Sequence, residues 1–300
     1  MKRNTLSKKL LVLVFWSWAF PINAANPGPP SRADIAKIYN IERTPAQTID
    51  VRYYRKNECA PDDWCPIRGA GDYLKEADWL LTGKVSRADL ALVYEGHRYR
   101  EVLFWQQESS RSEFVPGHET CHFRVDRGGF LYAHPSGGTE RGCTRILGRD
   151  VLVLPKGTVL FIASGEAETL VGILGGDSPV VVQHLKGKQQ SVNVPAGYYA
   201  RTLADGGITV AEFNLAEFYR TASLGRGLGP LPEDEAYVVR QEPAIQEILR
   251  RIREETLAAL EEQAKSSMQP PQPLKSPLMP LPPTAPTRPV TPETTTIPPR

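Results

Sequence analysis

An antiparallel β-sandwich or roll, mostly β, with a C-terminal helix and a disordered proline-rich tail, is the architecture expected of this chain. Three observations lead there. Runs of four to eight Val, Ile, Tyr and Phe residues recur between about 36 and 213, punctuated by turns that end in glycine. A helical period sets in only after residue 213. Residues 270–300 contain 12 prolines.

Residues 1–24 precede the fold. Lys2, Arg3, Lys8 and Lys9 form a charged start, Leu10–Phe20 a short apolar run, and "INAAN" a small-residue cleavage site after Ala24 or Ala25. This is the pattern of an export signal; eleven apolar residues are too few to span a bilayer, which takes about 20. Of 36 basic residues, removal of those four leaves 32, against 34 acidic ones. No basic excess remains for nucleic-acid binding. Membrane contact is expected only through the export signal. The expected location is periplasmic or extracellular, in the cell envelope.

Residues 25–48 read as an N-terminal lead, proline-rich at its start. Four hairpins follow from apolar runs flanking turn dipeptides. They are 87–94 with 97–105 across Glu95-Gly96, 151–155 with 158–164 across Lys156-Gly157, 179–185 with 188–194 across Lys186-Gly187, and 198–204 with 208–213 across Asp205-Gly206-Gly207. Asn214 suits the N-cap of a short helix over 214–223, with Leu215, Phe218 and Tyr219 on one face. Ile245, Ile248, Leu249, Ile252, Leu257 and Leu260 recur at helical steps, which predicts a helix over 241–265 docked on the β body. Residues 266–300 cannot build a core of their own.

Cys59, Cys65, Cys121 and Cys143 are an even set in an exported chain and read as two disulfides. Three connectivities are open; 59–65 with 121–143 is favoured because each closes a local loop.

Several segments could carry chemistry. His118-Glu119-Thr120-Cys121-His122 satisfies H-E-x-x-H, the signature of zinc peptidases. That reading needs a helix, so that both histidines meet one metal. Here Pro116-Gly117 precede and Gly128-Gly129 follow, and "HFRVDR" alternates like a strand. In a strand the two histidines lie about 13 Å apart. A zinc-dependent hydrolase is therefore the alternative reading, as is a weaker metal site from His118, His122 and His134. The preferred reading is a disulfide-held loop with solvent-facing histidines, with no metal, no cofactor and no catalytic residue. Ser164 lacks the G-x-S-x-G setting of a hydrolase nucleophile. "GILGG" at 172–176 lacks the Lys-Ser/Thr of a phosphate loop. His97 and His184 sit beside apolar residues and read as structural or exposed. Trp64 and Trp105 read first as core residues; if exposed, they could stack on sugar rings or anchor a protein partner.

Residues 49–230 resemble secreted bacterial proteins with a FecR-type domain. The resemblance rests on "GDYL" (71–74), "TG" (82–83), "SRADLAL" (86–92), "YEG" (94–96), "LVLPKGTVLFIAS" (152–164), "LVGILGGDSPVVV" (170–182), "VPAGYYA" (194–200) and "EFNLAEFYRTASLGRGLGP" (212–230). A strand usual before the "VGVL" block is missing here. Residues 106–150 match nothing in the family and stand as an insertion. Transmembrane members sense an outer-membrane receptor and control a sigma factor from the cytosol; this chain shows no such span, so that role is not carried over whole. The resemblance implies an exported, β-rich, non-enzymatic recognition domain that binds an envelope protein. A carbohydrate-binding role through the tryptophans is the third reading.

Overall fold

The structure, a computed structural model, describes residues 34–43, 49–56, 58–59, 63–94, 98–115, 122–138, 142–143, 145–186, 190–203 and 205–268. The expected export signal (1–24) and the tail beyond residue 268 lie outside these residues.

The first eight strands are β1 (Asp34–Arg43), β2 (Val51–Tyr54), β3 (Cys65–Pro66), β4 (Tyr73–Lys75), β5 (Trp79–Thr82), β6 (Ser86–Val93), β7 (Tyr99–Gln106) and β8 (Arg111–Phe114). Strand β9 (His122–Ala133) is the longest. There follow β10 (Arg145–Leu147), β11 (Val151–Leu154), β12 (Thr158–Ser164), β13 (Thr169–Gly176), β14 (Val180–His184), β15 (Ser191–Val194), β16 (Tyr198–Thr202) and β17 (Ile208–Glu212). Helices α1 (Leu215–Thr221), α2 (Pro232–Val239) and α3 (Pro243–Met268) complete the described residues, with a 3₁₀ turn at Ser223–Gly225.

The strands form two sheets. One runs β4-β1-β6-β7-β9-β12-β13-β16-β17. The other runs β3-β2-β5-β8-β9-β10-β11-β14-β15. Among the described pairings only β9 with β10 is parallel. Strand β9 belongs to both sheets. Its first half pairs with β8 and β10, and its second half with β7 and β12. The transfer happens at Gly128-Gly129. Gly128 has φ +87°, and a Cβ there would meet Ser110 at 2.2 Å. Ser110 Oγ accepts from the Gly129 N–H at 2.9 Å and fills the corner. Only glycine takes this backbone and this contact at low cost.

Between the sheets lies an aromatic core. Phe104 stacks on Phe123 at 5.2 Å, Phe123 on Phe130 at 4.2 Å, and Phe114 meets Phe123 edge-on at 4.9 Å. A second core lies on the other face of the first sheet, under the helices, where Leu103, Trp105, Leu131 and Leu174 meet Tyr237, Ile245, Leu249 and Ile252. The first sheet is thus covered on both faces, and β6 is buried along its whole length. The second sheet is covered on one, and β8, β11 and β14 alternate.

The described elements agree with the mostly β expectation and with helices near both predicted positions. Asn214 caps α1, accepting from the Glu217 N–H at 2.9 Å. The hairpins β6–β7, β14–β15 and β16–β17 are present. One expectation needs correction, and three of the expected spans carry further structure. Strands β11 and β12 do not pair; Lys156-Gly157 carries the chain from one sheet to the other. The lead 25–48 contains β1, which pairs with β4 and β6. Residues 106–150, expected as an insertion in the β domain, supply β8, β9 and β10. Residues 266–268 continue α3.

Candidate interaction surface

The H-E-x-x-H segment is described only from its last residue, since 116–121 lie outside the described residues. His122 opens β9 in extended backbone and is 7% exposed. His134 follows the other end of β9 and is 6% exposed. His118 lies outside the described residues, so the weak site expected from His118, His122 and His134 is described only in its last two members. Both rings are buried, which corrects their expected solvent exposure. Among the described residues no three His, Cys, Asp or Glu side chains gather as a metal site.

Cys59 and Cys65 form a disulfide. Cys143 is disulfide-bonded too, while Cys121 lies outside the described residues. Trp105 is fully buried, which corrects its alternative reading as an exposed stacking platform. Trp64 is half-buried and leans on Tyr54 at 6.1 Å. His97 lies outside the described residues.

One cluster has the residue types of a hydrolase. Asp150 accepts from Thr169 Oγ1 at 2.7 Å and from Thr202 Oγ1 at 3.1 Å. His184 Nδ1 accepts from the Lys186 N–H at 2.9 Å, and its Nε2 stands 3.8 Å from Asp150. The hydroxyls therefore face the carboxylate, and Ser164 Oγ faces Thr169. A nucleophile needs a hydroxyl held by the base; here the groups clasp the ends of four strands. The glycines of 172–176 also serve packing. A Cβ on Gly172 would strike the Phe161 ring, and one on Gly175 would lie 3.2 Å from the Glu255 backbone in α3.

The "SRADL" residues are buried in a charged network. Arg87 Nε donates to Asp89 Oδ1 at 2.6 Å. Tyr237 Oη and Asn40 Nδ2 donate to Asp89 Oδ2 at 2.7 and 2.6 Å. Arg87 Nη1 also donates to the Ser223 carbonyl. Burial raises the Asp89 carboxyl pKa despite the pull of Arg87. Burial works against the Arg87 charge, but Asp89, Tyr237 and Glu42 outweigh it and raise its pKa. The network ties β6 to α2 and is out of reach of a ligand.

The surface differs between the two ends of the sandwich. At one end the edge strands are β3 and β4, of two and three residues. Pro66 lies on β3, the Cys59–Cys65 bond staples it, and Arg55 with Asp78 sits behind. Short strands, proline and charge all block strand addition. At the other end are β15 and β17. The bonds from Leu203 N–H to the Gly207 carbonyl and from Phe213 N–H to the Gly197 carbonyl fix the alternation along β17. Val210 is opposite Ala200, in a pair whose N–H and C=O groups point away from β16. The same alternation turns the Ile208 N–H outward, where it finds Gln190 Oε1 at 2.8 Å. Leu185, Tyr198, Leu203 and Val210 are four of the five large apolar side chains exposed among the described residues, and all belong to the last two hairpins. Sequence reading found these strands but not this edge; the absence of Lys and Pro from "ITVAE" is the signal that could have shown it.

Beside β17, against α3, runs a groove made of two adjoining hollows of 310 and 570 Å³. They share Gly176, Asp177, Ala196, Ala259 and Glu262.

No family model matches this chain, and no curated protein matches it. Two crystal structures are similar to part of it, both of a candidate anti-sigma factor from Parabacteroides distasonis ATCC 8503. The one at 1.65 Å resolution is 8% identical, with a TM-score of 0.35, over 45% of this chain and 59% of that one. The one at 2.50 Å is 8% identical, with a TM-score of 0.33, over 45% of this chain and 65% of that one. The chain thus matches less than two thirds of the length of either.

Proposed function

We propose that this chain is an exported binding module of the cell envelope, of FecR type and without catalytic activity, that takes an extended segment of an envelope protein along β17. The observation that carries the reading is the contrast between the two ends of the sandwich. One edge is blunted by short strands, Pro66 and a disulfide, and the other presents the outward backbone of Val210 flanked by exposed apolar side chains. An incoming strand would gain main-chain hydrogen bonds there and place alternate side chains beside Tyr198 and Val210. The export signal expected at 1–24 supports a location outside the cytoplasm. Among the described residues no helix is long and apolar enough to cross a membrane.

The test is Val210→Pro. The Val210 N–H makes no bond to β16, so proline removes the outward donor and spares the existing ladder. Far-UV circular dichroism should be unchanged, and the envelope proteins crosslinked to the wild type should be lost. Val210→Lys keeps the N–H but adds the charge that natural edges use for protection, and should give the same loss. An unchanged set of crosslinked partners with both variants would sink the reading.

A further inference from the structure

The lining of the groove beside α3 is apolar in one part and acidic in another. Pro179, Pro195 and Tyr198 line it and are exposed. Asp177, Glu254 and Glu262 stand exposed along it, and among the described residues none of the three is in an ion pair. Ser266 lines the groove at the C-terminal end of α3, which finishes two residues later. The chain continues for 32 residues, with Lys275, Arg288 and Arg300 as its cations and Glu293 as its one acid.

We propose that the groove is the docking site of the chain's own segment 269–275, "QPPQPLK", laid back along α3 with Lys275 among these carboxylates. The proposal rests on other observations than the reading of β17, and Tyr198 is the one residue the two share. Three features favour this occupant. A proline-rich segment in polyproline II form brings few N–H donors, so it suits a groove lined by proline and tyrosine rings rather than a strand edge. The length fits. From Ser266 back to Glu254 α3 rises about 18 Å at 1.5 Å per residue, and seven residues of polyproline II span about 22 Å. The charge fits as well, because a cation arrives where acids stand unpaired. The segment is tethered at the lip of the groove, so its effective concentration there is on the order of millimolar.

Carbodiimide coupling of dilute full-length exported protein tests the proposal, since it joins a lysine to a carboxylate in direct contact. Peptide mapping should find Lys275 joined to Asp177, Glu254 or Glu262. In an equal mixture of ¹⁴N- and ¹⁵N-labelled protein the joined peptides should be of a single label. Lys275 joined only elsewhere, or not at all, would overturn the proposal; mixed-label peptides would assign the groove to a second copy and overturn it too. Tryptic cleavage at Lys275-Ser276 gives a second measure. It should be about tenfold faster in Glu254→Lys/Glu262→Lys, because cleavage follows the undocked population. Equal rates would remove the proposal.

Discussion

Asp89 shows what a single buried charge does in this fold. Its carboxylate faces Arg87, Asn40 and Tyr237 with no exposure to solvent. Asp89→Asn keeps the shape but leaves the Arg87 guanidinium buried without its counter-charge. The expected cost is about 3–5 kcal/mol, read as a fall in the urea midpoint with an unchanged slope. Glu255 behaves differently. It accepts from the Ser136 N–H at 2.6 Å and from Ser136 Oγ at 3.1 Å, and fastens α3 to the loop after β9. Burial raises its pKa above the ordinary 4.5, with Ser136 pulling the other way. A carboxyl raised on folding adds stability that is complete below 4.5 and is lost as pH rises through the folded-state value. Glu255→Gln should therefore stay within about 1 kcal/mol of the parent at neutral pH and lose the pH slope in that window. Glu255→Ala should cost about 1–2 kcal/mol. Denaturation of the three proteins across that pH range checks the sign.

Among the elements, α3 depends on a seat cut by glycine. Gly175 lets the α3 backbone approach β13, with the Glu255 carbonyl 3.2 Å from where a Cβ would lie. Gly175→Val should cost about 1–3 kcal/mol through overpacking. Hydrogen exchange should show the loss in α3 before it shows in β9; uniform loosening would contradict this account. The elements also show what the sequence could disclose. Three hairpins and α1 were legible because turn residues, β-branched runs and the Asn214 cap act locally. The longer helix was legible from its apolar period, although it runs to Met268. Lys156-Gly157 was misread because a turn dipeptide looks the same whether the next strand pairs or crosses to the other sheet. β1 was missed because "DIAKIYNIER" is broken by a bulge between Ile38 and Asn40, which shifts Ile41 back to the inner core. α2 was missed because "PEDEAYVV" offers only a short apolar stretch, and its start is fixed by Asp234 accepting from the Gly227 and Leu231 N–H groups. Trp105 was left with an exposed alternative for another reason. Its exposure depends on α2 and α3, which come more than 120 residues later in the chain.

At the scale of the whole molecule, β9 joins the two sheets into one cooperative body. Neither sheet has a complete middle without it, so the sheets should not melt separately. Calorimetry of the oxidised protein should give one transition, with a van't Hoff to calorimetric enthalpy ratio near unity; two resolved transitions would show that the sheets are independent. The shared strand also has a consequence for biosynthesis. A chain that leaves the ribosome, or crosses a translocation pore, appears from its N-terminus onward. Strands β1 to β8 emerge first, and both of their inner edges, at β7 and β8, wait for β9. Until residue 133 is out, the nascent chain holds two unsealed half-sheets with aromatic faces. Any pause in that interval would leave the chain most dependent on a holding chaperone, and release from it would come as β9 threads both halves together.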